Sequence, residues 1–160
     1  MPTAIYPGTF DPITNGHIDI AIRASRIFTK VIAVVSDNPQ KHCLFTADER
    51  YEMVSKSLQN IKNVKVVQYG GLVIDCIDKF KATVIIRGLR ALSDFDYEFQ
   101  MAFTNRRLNS RADTVFLMPS ARYTYLSSTM IRQIAQLSGE VKEFLPKCVR
   151  DKLVEKFKQK

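Results

Sequence analysis

Cysteine is scarce in this chain, and long apolar runs are missing. The three cysteines (Cys43, Cys76 and Cys148) are widely spaced and form no CxxC pair, which argues against a disulfide framework and for reduced thiols. No segment approaches the roughly 20 apolar residues that a membrane span needs. The opening residues MPTAIYPGTF lack the basic flank and the apolar stretch of a signal peptide. We therefore expect a cytoplasmic protein that is neither secreted nor inserted in a membrane.

Two common nucleotide-binding signatures are also absent. The chain has no GxxxxGK[ST] and no GxGxxG, so a P-loop enzyme and a dinucleotide dehydrogenase have no support. What is present is a globular composition, with 46% hydrophobic and 25% charged residues among 160. That length suits one domain with a real core. We predict a single domain over residues 1–160, with a C-terminal helical segment at about 141–160.

The net charge of +8 suggests an anionic partner, but its distribution argues against nucleic acid. Half of the excess lies between Lys142 and Lys160, where seven basic residues face three acidic ones. Val149, Leu153 and Phe157 recur in that segment at helical spacing, so its charges are better explained as the solvated face of an amphipathic helix. The remaining charge suits smaller anions such as phosphates.

Short β-branched runs alternate with helical patterns along the chain. Five runs are apolar nearly throughout, as in parallel strands covered on both faces: Thr3–Tyr6, Val31–Val35, Val64–Tyr69, Thr83–Ile86 and Thr114–Met118. Among the helical patterns, Thr46 and Glu49 have the spacing of a capping box. The alternation predicts an α/β fold, a single-domain doubly wound (Rossmann-like) five-stranded parallel sheet flanked by helices.

Three further helices are predicted after the third strand, over about Leu72–Phe80, Asp94–Asn109 and Ser128–Gly139, the last ending at a natural C-terminal glycine. In such sheets ligands bind beyond the carboxyl ends of the strands, near the point where strand order switches. The segments that follow the strands are therefore where chemistry is expected.

The first of these segments, Tyr6–His17, leaves a strand, turns through Gly and Pro, and enters a helix near Gly16. A helix N-terminus offers unpaired N–H groups to an anion, and His17 on the first turn can donate a hydrogen bond to the same anion. The plainer interpretation is that Pro-Gly and Asn-Gly only make turns and that His17 is a surface residue. The strand exit, the glycines and the helix start together favour function.

The second segment, Ile86–Arg90, reads IRGLR. Arg87 and Arg90 supply fixed, always-charged forks that match phosphate oxygens, and Gly88 lets backbone approach a ligand closely. An exposed turn with incidental charges is the alternative. Downstream, Glu98 lies among acids that a helix dipole alone would explain, so its role is ambiguous on spacing.

The third segment runs from Tyr123 to Arg132 and contains Ser127, Ser128 and Thr129 in succession. One hydroxyl is expected to cap the helix, and three exceed what a cap requires. With the helix N–H groups behind them they make a second anion-binding end. Lys41 completes a basic rim, although a lone loop lysine is usually just solvated.

This inventory holds no nucleophile–base–orienter triad and no structural zinc spacing. Two helix N-termini, two arginines, a lysine and a histidine at one sheet edge favour phosphoryl or nucleotidyl transfer by positioning and charge neutralisation. We expect no protein-held metal, with Mg²⁺ carried by the phosphates of its nucleotide.

At these residues the chain resembles the bacterial phosphopantetheine adenylyltransferases, of the HxGH nucleotidyltransferase superfamily. The motifs that carry the resemblance are YPGTFDPITNGH, IRGLR, DFDYEFQMAFTNR, FLMPS and LSST, in order along nearly the whole chain. The first His of the superfamily signature is Thr14 here, and TNGH is common in the phosphopantetheine branch.

The resemblance implies the penultimate step of coenzyme A biosynthesis. The phosphate of 4′-phosphopantetheine attacks the α-phosphorus of ATP in line, without a covalent intermediate, giving dephospho-coenzyme A and pyrophosphate. It also implies a cytoplasmic homohexamer, with coenzyme A as a possible inhibitor.

Roles carry over by motif in the same way. The catalytic residues would be His17, Thr9, Lys41 and Arg90. The phosphopantetheine contacts would be Thr9, Lys41, Val73 and Arg87. The ATP contacts would be Thr9, Phe10, His17, Gly88, Leu89, Arg90, Glu98, Tyr123, Thr124, Tyr125, Leu126, Ser127, Ser128 and Thr129.

Two alternatives stay open. The same scaffold with another phosphate-bearing acceptor, such as nicotinamide mononucleotide or glycerol phosphate with CTP, is argued against by the DFDYEFQMAFTNR helix. A non-catalytic basic nucleic-acid-binding module has only the basic tail in its favour, without an RRM, helix-turn-helix or zinc-finger pattern.

Overall fold

Five parallel strands form one sheet at the centre of the molecule. The computed structural model describes residues 2–37, 42–90 and 92–158. The strands are β1 (Thr3–Gly8), β2 (Lys30–Ser36), β3 (Val64–Tyr69), β4 (Val84–Gly88) and β5 (Asp113–Leu117). Their order is β3-β2-β1-β4-β5, and every neighbouring pair is parallel. The doubly wound parallel sheet predicted from the sequence is confirmed.

Helices connect the strands and cover the sheet. They are α1 (Asn15–Ile27), α2 (Ala47–Leu58), α3 (Asp75–Lys79), α4 (Leu92–Leu108), α5 (Ser128–Gln136) and α6 (Lys147–Lys158), with a 3₁₀ turn at Ala121–Tyr123. The capping box at Thr46 and Glu49 is present at the start of α2. The third helix is shorter than its apolar pattern predicted. Within the described part of the C-terminal segment, residues 141–158, the helix covers Lys147–Lys158.

The end of α5 differs from the prediction. Gln136 is its last residue, and the left-handed backbone conformation that follows belongs to Ser138, with φ 60°, rather than to Gly139. Gly139 is instead required for close approach, because a Cβ there would lie 2.6 Å from Cγ2 of Ile134. The glycine therefore serves packing against the helix and not an unusual φ.

The core has two parts, one on each face of the sheet, because successive side chains of a strand point to opposite faces. Ala4 and Tyr6 of β1 join a large cluster with side chains of α1, α2, α5 and α6. Ile5 joins a smaller cluster that includes Cys76 of α3. Burial raises the pKa of the Cys76 thiol to about 11, in agreement with a packing role.

The C-terminal helix packs against α2 and uses part of the basic tail to do so. Val149 and Leu153 are fully buried, as their helical spacing predicted. On the flank of α6, Lys156 pairs with Glu49 at 2.9 Å and Lys152 pairs with Glu52. Some of the excess positive charge is therefore matched by acids of α2.

Candidate active site

One large cavity opens at the carboxyl ends of the strands, beside the point between β1 and β4 where the strand order switches. Its volume is about 1460 Å³. Most of the predicted site residues line it: Thr9, Phe10, His17, Val73, Arg87, Gly88, Arg90, Glu98, Tyr123, Leu126, Ser127, Ser128 and Thr129. Leu89, Thr124 and Tyr125 are not among the lining residues, and Lys41 lies outside the described residues.

His17 caps the start of α1 with one ring nitrogen. Thr14 is the N-cap residue, and its Oγ1 accepts a hydrogen bond from the backbone N–H of His17 at 3.3 Å. In return the backbone N–H of Thr14 donates to Nδ1 of His17 at 3.0 Å. Because a backbone N–H can only donate, Nδ1 must be unprotonated, and the proton of the neutral ring is on Nε2.

The electrostatic surroundings keep this ring neutral. Burial, followed by the positive charges of Arg90 and Arg87, lowers the pKa of His17 from 6.5 to about 4. At neutral pH the side chain therefore supplies an uncharged Nε2–H donor. The positive end of the α1 dipole lies at the same place. Together they favour negative charge on a ligand without requiring a proton transfer from His17.

Phe10 packs its ring against the imidazole of His17. Its backbone is in the left-handed region, with φ 50°, a conformation that costs a non-glycine residue about 1–3 kcal/mol. Its buried ring meets those of Tyr6 and His17 edge-on, with centroids 5.5 and 5.2 Å apart. Gly8 is needed beside it, because a Cβ there would lie 2.8 Å from Cζ of Phe10. The ring of Phe10 is therefore committed to packing.

Arg87 and Glu98 form a two-pronged ion pair in the cavity wall. Nε of Arg87 donates to Oε2 of Glu98 at 2.7 Å, Nη2 donates to Oε1 at 2.5 Å, and Nη1 donates to the carbonyl of Pro7 at 3.0 Å. Burial opposes the charge, but Glu98 outweighs it and raises the pKa of Arg87. The family resemblance assigns these two residues to different substrates, whereas the structure joins them in one ion pair.

Arg90 connects the end of β4 to the loop before α5. Its Nη1 donates to the carbonyl of Leu126 at 2.6 Å, and its Nε contacts Asp94 at 3.3 Å. Ser127 is the cap of α5, since its Oγ accepts from the N–H of Met130 at 3.1 Å. One of the three hydroxyls is thus a cap, as expected.

The other two hydroxyls also have partners. Ser128 donates to the carbonyl of Pro12 at 2.8 Å, and Thr129 accepts from Arg132 at 3.3 Å. What the start of α5 offers to a ligand is therefore mainly its backbone N–H groups, which the first turn of a helix leaves without intrahelical partners.

Acidic residues that the sequence interpretation missed hold the loops around the cavity. Both carboxylate oxygens of Asp19 on α1 accept from Ser120, from its N–H and its Oγ–H at 2.8 Å each, while Arg23 donates to Asp19. Desolvation opposes this charge, but these donors lower the pKa of Asp19. Asp19 lies four residues before Arg23 on a predicted helix, a spacing that signals an ion pair but not its loop partner.

The acids of the cavity do not form a metal cage. Within residues 2–37, 42–90 and 92–158, no three acidic, histidine or cysteine side chains come together as a metal-binding group. The Glu98 carboxylate is held by Arg87, and that of Asp11 accepts the N–H groups of Leu44 and Phe45. This donor set fits a divalent cation that arrives coordinated by phosphate oxygens and water.

Comparisons with known proteins agree with this geometry. The model of the cytidylyltransferase-like family matches residues 5–134. The phosphopantetheine adenylyltransferase of Dictyoglomus turgidum is 49% identical over 160 residues, with all of both chains covered. That of Caldanaerobacter subterraneus subsp. tengcongensis is 48% identical over 159 residues, covering 99% of each chain.

A solved structure supports the fold alone. The chain of a putative nicotinate-nucleotide adenylyltransferase from Vibrio parahaemolyticus superimposes with a TM-score of 0.73 and 16% identity, covering 100% of this chain and 98% of that one. Separately, none of the helices in the described part of this chain is long and apolar enough to cross a membrane.

Proposed function

Because this chain belongs to the phosphopantetheine adenylyltransferase family, we propose that it transfers the adenylyl group of ATP to 4′-phosphopantetheine. Dephospho-coenzyme A and pyrophosphate are the products. The single observation that carries the proposal is the juxtaposition of the neutral Nε2–H of His17 with Arg87, Arg90 and the starts of α1 and α5 around one cavity. At about 1460 Å³, that cavity exceeds the roughly 300–1,000 Å³ of a site for one small ligand.

The reaction is a displacement at phosphorus. A phosphate oxygen of the acceptor forms a bond to the α-phosphorus of ATP, and the bond from that phosphorus to the bridging oxygen breaks to release pyrophosphate. Negative charge moves onto oxygens that the enzyme must stabilise. His17 supplies the Nε2–H donor for an α-phosphate oxygen, and the α1 dipole adds to it. No protein atom bonds to phosphorus.

The nucleotide and the acceptor occupy different walls in this proposal. ATP takes the backbone of Phe10, the Gly88–Arg90 turn and the start of α5, with Arg90 beside the phosphates. The acceptor takes Thr9, Val73 and Arg87, with Thr9 orienting the incoming phosphate. Lys41 is assigned to the reacting phosphates by its motif alone. Glu98 contributes by holding the Arg87 fork in place as well as by any contact with the nucleotide.

Mg²⁺ is the divalent cation we propose, and it supplies charge neutralisation on the phosphates when bound with ATP. The chain would act in the cytoplasm as a homohexamer, with coenzyme A competing for the acceptor wall. Support for subunit contacts comes from one exposed apolar side of α4, where the rings of Phe95, Phe99 and Phe103 contact one another and are 39%, 45% and 61% exposed. Contiguous exposed apolar surface of this kind is typical of interfaces.

Pyrophosphate release from ATP and Mg²⁺, with and without 4′-phosphopantetheine, tests the proposal. Dephosphorylated pantetheine is the matched control, because it lacks only the attacking phosphate. We expect release with 4′-phosphopantetheine and none with pantetheine. Release with nicotinamide mononucleotide instead would move the acceptor assignment to another branch of the superfamily. A folded protein that binds ATP and releases nothing with any of these acceptors would refute adenylyl transfer.

A further inference from the structure

Arg50 on α2 carries a guanidinium group that contacts Thr9, Ser36 and Asp37, three residues that line the cavity. Among the described residues it is the largest of the fully buried side chains, with 2% of its surface exposed, yet it does not line the cavity and no motif singles it out. A buried charge is costly unless hydrogen bonds satisfy it. Its partners therefore show what this side chain does.

Three backbone carbonyls from three segments converge on this one guanidinium. Nη1 donates to the carbonyl of Thr9 at 2.8 Å and to that of Ser36 at 2.7 Å, and Nε donates to that of Phe45 at 3.2 Å. An ion pair with Asp37 at 3.6 Å completes the set. Only the rigid fork of an arginine presents donors in several fixed directions at once.

A second set of contacts holds the loop after β1, and it is centred on the Asp11 carboxylate of that loop. The carboxylate of Asp11 accepts the N–H groups of Leu44 and Phe45 at 2.8 and 3.0 Å, and Arg132 of α5 contacts it at 3.3 Å. A side chain of α2 thus binds the backbone of the loop after β1, and a side chain of that loop binds the backbone at the entry to α2. Arg50 is the member of this set that also reaches the end of β2.

We propose that Arg50 is a positioning residue for the phosphate-acceptor half of the site. It fixes the Thr9 carbonyl, the end of β2 at Ser36 and the entry to α2 at Phe45. None of its hydrogen bonds goes to the Gly88–Arg90 turn or to the start of α5, and its one contact on the nucleotide side is the carbonyl of the Thr9–Phe10 peptide group. The inference deepens the proposed function and rests on its role for Thr9.

Arg50→Lys tests this role, because it keeps the charge but replaces the fork with a single ammonium group. We expect kcat for pyrophosphate release to fall about 10- to 100-fold, the scale of a reacting group misplaced by about 1 Å, and KM for 4′-phosphopantetheine to rise. The dissociation constant for ATP, measured by calorimetry, should rise by a smaller factor than KM for 4′-phosphopantetheine, because the Gly88–Arg90 turn and the start of α5 keep their contacts.

Val54→Ala on the same helix separates positioning from loss of stability. Val54 is fully buried in the core, so its truncation lowers Tm but removes none of the hydrogen bonds that hold the loop. At an assay temperature well below the Tm of the wild type and of Val54→Ala, this variant should keep kcat within about twofold of wild type. An Arg50→Lys enzyme with wild-type kcat and KM, or a Val54→Ala enzyme that loses as much kcat, would overturn the inference.

A double-mutant cycle with Thr9→Ala shows whether Arg50 acts through that residue. In the Thr9→Ala background, Arg50→Lys should cost much less kcat than it does alone, because the group being positioned is already gone. Fully additive losses would contradict action through Thr9. If the wild type is active and Thr9→Ala alone does not change kcat or KM, the role proposed for Thr9 fails. If Arg50→Lys alone does not change kcat or KM, only the role of Arg50 fails.

Discussion

The starts of α1 and α2 use the same local device for different ends. Each begins after a threonine N-cap, and each has a capping box in which the side chain three residues later accepts the backbone N–H of that threonine. In α2 this residue is Glu49, and its carboxylate also binds Lys156 of α6 at 2.9 and 3.0 Å. In α1 it is His17.

The difference lies in the second polar atom of the capping side chain. The Glu49 carboxylate also accepts hydrogen bonds from Lys156 of α6, a tertiary contact. Burial opposes the charge, but the donors from Lys156 and Thr46 outweigh it and lower the pKa of Glu49. His17 leaves Nε2–H for the cavity and is held neutral by burial and by Arg90 and Arg87. An imidazole at this capping position accepts the cap hydrogen bond at Nδ1 and holds its Nε2–H as a fixed donor, which a carboxylate does not have.

The largest contrast is expected on removing the two capping side chains. His17→Ala should lower kcat by about 10²–10³, the scale of losing one charge-stabilising donor. Glu49→Ala should leave kcat within about twofold of wild type. Both should lose about 0.5–1.5 kcal/mol of stability, the net contribution of the hydrogen bond to the N-cap backbone N–H. Steady-state pyrophosphate release and thermal unfolding measure the two effects, and near-normal turnover in His17→Ala would refute its role.

A smaller contrast is expected at the N-cap threonines. Thr14→Ala and Thr46→Ala should each cost about 1 kcal/mol of stability. Only Thr14→Ala should also slow turnover, by about fivefold if a similar free energy of imidazole positioning is lost. Thr14→Ser, which keeps the hydroxyl, serves as the control and should restore kcat. Equal effects of the two alanine variants on kcat would erase the distinction between the helix starts.

The smallest effect is expected where Glu49 meets α6. Lys156→Gln removes an ion pair whose partners are 30% and 35% exposed, so solvent screening limits its contribution to about 0–1 kcal/mol. Turnover should not change. Denaturant unfolding at low and high salt measures the loss, which should shrink as salt rises. A kcat loss here would mean that the α2 cap also supports the site.

The parts of this molecule that depend on local residue patterns could be predicted from the sequence. The apolar runs predicted all five strands, and the spacing of Thr46 and Glu49 predicted the cap of α2. Long-range partners could not be predicted in the same way. Nothing local indicates that Arg50 reaches the carbonyl of Thr9, 41 residues away, because backbone carbonyls carry no sequence signal.

Two site residues show how this limit affects chemistry. His17 was identifiable from its place at a helix start, but its capping bond and tautomer required the position of the Thr14 N–H. Glu98 was ambiguous on spacing, and only the fold brings it to Arg87, 11 residues away in sequence.

Nitrogen-15 NMR of the imidazole rings tests the central claim most directly. The chain has only two histidines, so His42→Gln assigns the spectrum. We predict that His17 carries its proton on Nε2, with Nδ1 bare, at pH 7 and still at pH 5.5, and that it titrates near pH 4. A ring that titrates near its ordinary value of 6.5, or that carries its proton on Nδ1, would contradict the account.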